Sequence, residues 1–154
     1  MSRSQGDKFI LTKELGRLAK WLRILGYDAS FYRQDNVSTL IITALREERI
    51  ILTRNLRISR FPGPKIVIVK SDFVNKQIKQ VIRQLKLKPR PKDMFRRCVI
   101  CNVELKEIAK TRIKSKVPEY VYKTQKDFTN CPRCKKVYWQ GTHWGNAKKY
   151  LGKI

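Results

Sequence analysis

Two C-x-x-C pairs, Cys98-Val99-Ile100-Cys101 and Cys131-Pro132-Arg133-Cys134, constrain this chain more than any other feature. Each pair lets the backbone turn so that two sulfurs meet one ion, and together they supply the four soft ligands of a tetrahedral zinc site. They use all four cysteines of the chain. Disulfides are the alternative, but Met1 to Lys8 is polar and lacks the apolar stretch of an export signal. One structural Zn2+ on Cys98, Cys101, Cys131 and Cys134 is therefore expected. A site closed by four thiolates has no open position for water, so its role is to hold the fold. Glu119 to Tyr122 and Val137 to Trp139 are rich in β-formers, which predicts a small β-rich zinc ribbon.

The residues before the cysteines follow a different pattern. Lys8 to Thr12 is a short apolar run, after which Leu15, Leu18, Leu22 and Leu25 mark one helix face that Gly26 closes. Ala29 to Arg33 is a second strand candidate. Ser38 is placed to cap a helix with Leu40, Ile41, Ala44 and Leu45 inward. Ile50 to Thr53 and Ile66 to Val69 are continuous aliphatic runs, the mark of strands covered on both faces, separated by the breaker Phe61-Pro62-Gly63-Pro64. Ser71 or Asp72 then caps a helix carrying Val74, Ile78, Val81, Ile82 and Leu85. Strands alternating with helices predict an α/β domain, a parallel sheet with flanking helices, over residues 1–88. Lys86 to Asp93 has two prolines and no periodicity, so it reads as the linker to a ribbon module with a basic tail over residues 89–154.

Charge narrows the function. The chain has 154 residues with 36 Lys plus Arg against 12 Asp plus Glu, a net charge of +24, yet at 42% hydrophobic it can bury a core. Residues 1–95 hold 21 basic and 8 acidic side chains and residues 96–154 hold 15 and 4, so both parts are cationic. A thermophile's surface would balance its cations with Glu in ion-pair networks. A polyanion, RNA or DNA, is the expected neutraliser, ahead of a membrane. No window approaches 18 consecutive apolar residues, and a cytoplasmic location is expected. Candidate contacts are Arg17, Lys20, Arg23, Arg54, Arg57 and Arg60 in the first part, with Arg17, Lys20 and Arg23 expected on the solvent side of their helix. In the second part they are Arg96, Arg97, Lys114, Lys116, Lys135, Lys136, Lys148 and Lys149. The lone His143 lies among Tyr138, Trp139 and Trp144. It reads as a surface or ribbon-packing residue, and the competing reading is base stacking by Trp139, His143 and Trp144.

The blocks Lys8-Phe9-Ile10-Leu11, Leu15 through Asp28 (LGRLAKWLRILGYD), Ile51-Leu52-Thr53-Arg54, Arg97 through Cys101 and Cys131 through His143 closely resemble the Mut-seven C-terminal ribonuclease domain family. The resemblance spans about residues 8–150 and implies a PIN-like nuclease fold followed by a zinc ribbon. It also implies a cluster of carboxylates holding Mg2+ or Mn2+ at one end of the sheet. The family's aspartates at the end of the first strand and after the Leu-Thr-Arg of the third fall on Thr12 and Asn55. Asp35 and Asp72 match acidic positions after the second and fourth strands. Asp28 reads as a turn residue.

Two readings follow. In the first, the chain is an RNA-binding protein on a degenerate PIN-like nuclease scaffold, catalytically inactive, associated with ribosomal RNA and neighbouring ribosomal proteins. The alternative is a metal-dependent endoribonuclease in which Asp35 and Asp72 hold Mg2+ or Mn2+ with help from neutral Thr12 and Asn55.

Overall fold

The computed structural model describes residues 6–153, the side chains of Thr142, His143 and Leu151 excepted. Strands β1 (Lys8–Thr12), β2 (Asp28–Tyr32), β3 (Ile50–Thr53) and β4 (Ile66–Ile68) form one parallel sheet in the order β2-β1-β3-β4. Helices α1 (Gly16–Ile24), α2 (Val37–Glu47) and α3 (Val74–Gln84) connect or follow them. Successive strand side chains point to opposite faces, so a run such as Phe9-Ile10-Leu11 must find cover on both. Phe9 and Leu11 pack with Leu18 and Leu22 of α1 and Ile78 and Val81 of α3. Ile10 and Ile51 pack on the other face with Leu40, Ile41 and Ala44 of α2.

Helix boundaries depart from expectation in instructive ways. Asn36 rather than Ser38 caps α2, its side-chain oxygen accepting from the Thr39 N–H at 3.0 Å. Leu45 is exposed on that helix rather than inward. Neither Ser71 nor Asp72 caps α3, whose N-cap is Phe73; the Ser71 hydroxyl instead accepts from the Phe73 N–H. Gly26 does close α1, at φ +99°.

The ribbon is an antiparallel sheet of β5 (Lys106–Ile108), β6 (Phe128–Asn130) and β7 (Val137–Trp139), in that order. Glu119 to Tyr122 was expected as strand and forms the short helix α4 (Glu119–Thr124), started behind Pro118, whose fixed φ suits a helix entrance. Val121 of that helix joins Ile113, Val117 and Phe128 in the ribbon's own core. Helix α5 (Thr142–Gly152) follows and returns to the first sheet's helices, Tyr150 stacking on Trp21 with ring centroids 4.7 Å apart.

Residues 86–93 lack regular structure beyond one turn at 91–93, but they are not a free tether. Leu87 enters the core of the first sheet, and Asp93 is buried beside the end of α1 with Arg90 and Arg96 on its carboxylate. The Phe95 N–H donates to the Ile24 carbonyl at 2.9 Å. The first cysteine turn docks against the outer edge of β2. There Arg23 of α1, expected in solvent, is only 7% exposed and donates to the carbonyls of Ala29 (2.9 Å), Val99 (2.8 Å) and Ile100 (3.2 Å). Asn102 completes the junction by accepting from the Ala29 N–H and donating to Asp28.

Candidate functional site

In an open parallel sheet, ligands gather beyond the carboxyl ends of the strands, where the strand order reverses. Here that point lies between β1 and β3. Their register sets Leu11 beside Leu52, so the next residues, Thr12 and Thr53, meet at the strand ends, hydroxyl to hydroxyl at 2.8 Å. A cleft of about 100 Å³ opens above them, lined among others by Lys13, Glu14, Tyr32, Asp35 and Asn55.

The residue that organises this cleft is Glu14, which the sequence reading passed over. Its carboxylate accepts from the Thr12 hydroxyl (2.7 Å), the Arg54 N–H (2.9 Å) and the Thr53 hydroxyl (3.2 Å). Partial burial works to raise its pKa, but those bonds, the Arg54 N–H foremost, outweigh it and hold the carboxyl below its ordinary range. Glu14 lies two residues beyond Thr12, in the single turn Lys13–Leu15 that follows β1.

The other candidate carboxylates are spoken for by cations. Asp35 lines the cleft but is 81% exposed and pairs with Lys13 at 2.6 Å, an interaction that raises the lysine's pKa. Asp72 lies at the end of β4, exposed, paired with Arg54, whose guanidinium also donates to the Lys70 carbonyl. Asn55 accepts from the Arg57 N–H at 3.0 Å. Asp28 stands at the start of β2, the opposite end of the sheet from the cleft. Thr12, Asp35, Asn55 and Glu14 thus come together, while Asp72 and Asp28 do not join them. A hard divalent ion needs several carboxylate oxygens free to converge on it. The donors here do not fit Mg2+ or Mn2+: among the described residues no three carboxylates converge, and Glu14 is engaged by hydroxyl and backbone donors of its own chain.

The cysteines do converge. The four Sγ atoms lie within 4.8 Å of one another, and they are the one group of three or more metal-ligating side chains so placed among the described residues. Tetrahedral Zn–S bonds of about 2.3 Å put sulfurs roughly 3.8 Å apart, and Cys98 and Cys134 are 3.7 Å apart. Both turns have the same construction. The Asn102 N–H donates to the Cys98 carbonyl and the Lys135 N–H to the Cys131 carbonyl, each at 2.9 Å. Asn102 and Lys135 take the left-handed conformation at φ 67° and 69°. Backbone N–H groups of Cys101 and Cys134 point at the sulfurs of Cys98 and Cys131. Burial alone would raise the Cys98 thiol, but hydrogen bonds from the Tyr138 hydroxyl and the backbone hold it below its ordinary range. This donor set is compatible with one structural zinc.

Of the expected cationic contacts, Arg17, Lys20, Arg57, Arg60, Lys114, Lys116, Lys148 and Lys149 are exposed, as are Arg96, Lys135 and Lys136. Arg97 is half-buried and donates to the Asn102 carbonyl. Arg23 is withdrawn from the surface, as described. Trp139 packs on Phe128 and Trp144 lies under the Lys148 ammonium, whereas Tyr138 is committed to Cys98. His143 falls in α5 and its side chain lies outside the described residues.

The Mut7-C RNAse domain family matches residues 7–151. The chain belongs to that family. Membership makes this Mut7-C chain an RNA-related, nuclease-like domain, and its parallel sheet, antiparallel ribbon and four-cysteine cluster stand in the order its motifs implied. No curated protein and no solved structure matches the chain. Among the described residues no helix is long and apolar enough to cross a membrane.

The depressed carboxyls give a pH prediction. At Asp28 burial opposes the charge, but hydrogen bonds from Arg49 (2.8 Å) and Asn102 (2.7 Å) win and lower the folded pKa below its ordinary 3.8. A depressed folded pKa contributes stability that is complete above the unfolded value and is lost as pH falls through the folded one. Thermal unfolding followed from pH 6 to about pH 2 is therefore expected to show wild type losing stability below about pH 4, and Asp28→Asn losing less over that window.

Proposed function

We propose that this chain is an RNA-binding protein on a degenerate PIN-like scaffold, with an α/β module over residues 1–88 and a zinc-ribbon module over residues 89–154. It acts by staying on RNA, ribosomal RNA with its neighbouring proteins, rather than by cutting it. One observation carries this: where metal-dependent hydrolysis would need free carboxylates, Thr12 and Asn55 are neutral, Glu14 is a hydrogen-bond acceptor for its own chain, and Asp35 and Asp72 face cations. A cleft rebuilt this way repels phosphate less. With a net charge of +24 spread over both sheets, binding releases many counterions and depends steeply on salt.

The same purified chain, incubated with labelled single-stranded and structured RNA plus Mn2+, is expected to bind both without cutting either, with affinity falling by orders of magnitude between 50 and 200 mM salt, as about six to ten phosphate contacts imply. Mn2+-dependent cleavage that disappears in Asp35→Ala would overturn the reading in favour of a working endoribonuclease.

A further inference from the structure

The junction between the two sheets holds a cavity that neither the fold nor the cleft explains. Its volume is about 440 Å³, within the roughly 300–1,000 Å³ of ligand sites, and its walls come from α1, from β2 and from both cysteine turns. The cations lining it are Arg23, Arg33 and Arg133; Ser30, Phe31 and Cys101 of the cysteine cluster also line it, and none of the described lining residues is Asp or Glu. Lys outnumbers Arg 21 to 15 in the chain, yet all three cations here are Arg. A guanidinium offers a planar fork of donors that matches a phosphate with two bonds at once, which an ammonium does not.

Each arginine is positioned. Arg23 is buried and donates to the carbonyls of Ala29, Val99 and Ile100, so it brings a fixed positive charge to the wall. Arg33 lies over the Phe31 ring at 5.4 Å from its centroid, which steadies an otherwise exposed side chain. Arg133 is carried by the second cysteine turn, where its own N–H donates to the Cys131 sulfur. Asp28, at the start of β2, accepts from Arg49 and Asn102. Four thiolates with one Zn2+ would carry two negative charges, which the three arginines and adjacent Lys135 and Lys136 exceed.

We propose that this cavity is a phosphate-binding pocket for RNA, closed on one side by the zinc ribbon and on the other by the edge strand β2, with Arg33 and Arg133 as the phosphate clamp. This rests on the RNA-binding reading above and gives it a location that the sequence did not offer, since Arg33 and Arg133 are 100 residues apart in the chain.

The test uses the full chain with its zinc and a short fluorescein-labelled single-stranded oligoribonucleotide, read by anisotropy across a salt series. Arg33→Gln with Arg133→Gln is compared with Lys76→Gln with Arg83→Gln, an equal loss of charge on exposed positions of α3. The clamp pair is expected to lose at least about tenfold in affinity and to flatten the log–log salt slope by about one, the α3 pair to lose less than about threefold. Ser30→Asp, which adds a carboxylate to the wall and removes no cation, is expected to weaken binding as the clamp pair does. Equal losses in the two pairs would overturn the pocket and leave the RNA-binding reading standing. So would a clamp pair that loses zinc by elemental analysis while Ser30→Asp binds RNA like wild type, since the arginines would then serve the cluster's charge. A wild-type chain with no RNA affinity would sink both.

Discussion

Chelating the metal, or replacing Cys131 by Ser, is expected to unfold the ribbon and leave the parallel sheet folded but frayed along β2. Elemental analysis should find one zinc per chain in the wild type and none in the variant, and amide exchange across residues 98–139 should rise to that of an unfolded chain. The reason is the poverty of the ribbon's own core. Ile113, Val117, Val121 and Phe128 are its buried apolar cluster, its strands are three residues each, and residues 109–118 have only two single turns. A segment so built depends on the metal for cohesion, and structural zinc sites supply on the order of 10 kcal/mol at neutral pH. Cys131 is fully buried and receives the N–H groups of Arg133 and Cys134, so a serine there presents a harder, poorer ligand in a setting made for sulfur. Losing the turn at 98–102 also removes the acceptors of Arg23 and the Asn102 bridge to Ala29 and Asp28, which is why protection along β2 should fall while that of β1 and β3 holds. A chain that keeps its ribbon ordered at zero metal would refute the zinc assignment.

What the sequence disclosed follows from what each signal measures. Continuous aliphatic runs report burial on two faces, and Lys8–Thr12 and Ile50–Thr53 stand as strands within the bounds that pattern implied. The paired C-x-x-C turns report convergence because two residues between cysteines leave the chain few other ways to place the sulfurs. Signals drawn from one element alone fail where a second element decides. Arg23 lies one turn after Ala19 on α1, and its guanidinium is held out of solvent by the Ala29 carbonyl of β2 and by the Val99 and Ile100 carbonyls that the ribbon brings. Leu45 looks inward by helical spacing, but the core cluster under α2 is built from Leu40, Ile41 and Ala44, leaving Leu45 against the Gly63 loop. Glu119 to Tyr122 carries strand propensity, yet an entrance at Pro118 and burial of Val121 alone suit one helical turn better. Glu14 was passed over for a related reason. It lies in the turn between a strand and a helix, where neither period applies cleanly, and its partners Thr53 and Arg54 are about 40 residues away.

Gly26→Ala is expected to destabilise the whole chain by roughly 3 kcal/mol or more, through two effects that add. The first is local: Gly26 ends α1 at φ +99°, a conformation that costs a residue with a Cβ about 1 kcal/mol or more. The second is steric. A Cβ on Gly26 would lie 3.1 Å from the carbonyl carbon of Asp93 and closer still to its oxygen, and backbone atoms do not yield as a flexible side-chain tip does. Relief requires moving residues 90–95 away from α1. That segment is anchored by the buried Asp93 carboxylate with Arg90 at 2.6 Å and Arg96 at 3.1 Å, and by the Phe95 N–H on the Ile24 carbonyl. Displacing it therefore disturbs the contacts of the buried Asp93 carboxylate with its partly exposed arginine partners and shifts the strut from which the first cysteine turn reaches β2; forcing extra volume into such a tightly packed site costs about 1–3 kcal/mol. Urea unfolding of the zinc-loaded protein measures the loss. A second substitution separates the two effects: Gly63→Ala also carries a positive φ, at 111°, but meets only the Leu45 side chain at 3.4 Å, which can rotate away. It should cost about 1 kcal/mol, the conformational part alone. Equal losses at the two positions would show that close packing of residues 90–95 on the end of α1 contributes nothing to stability.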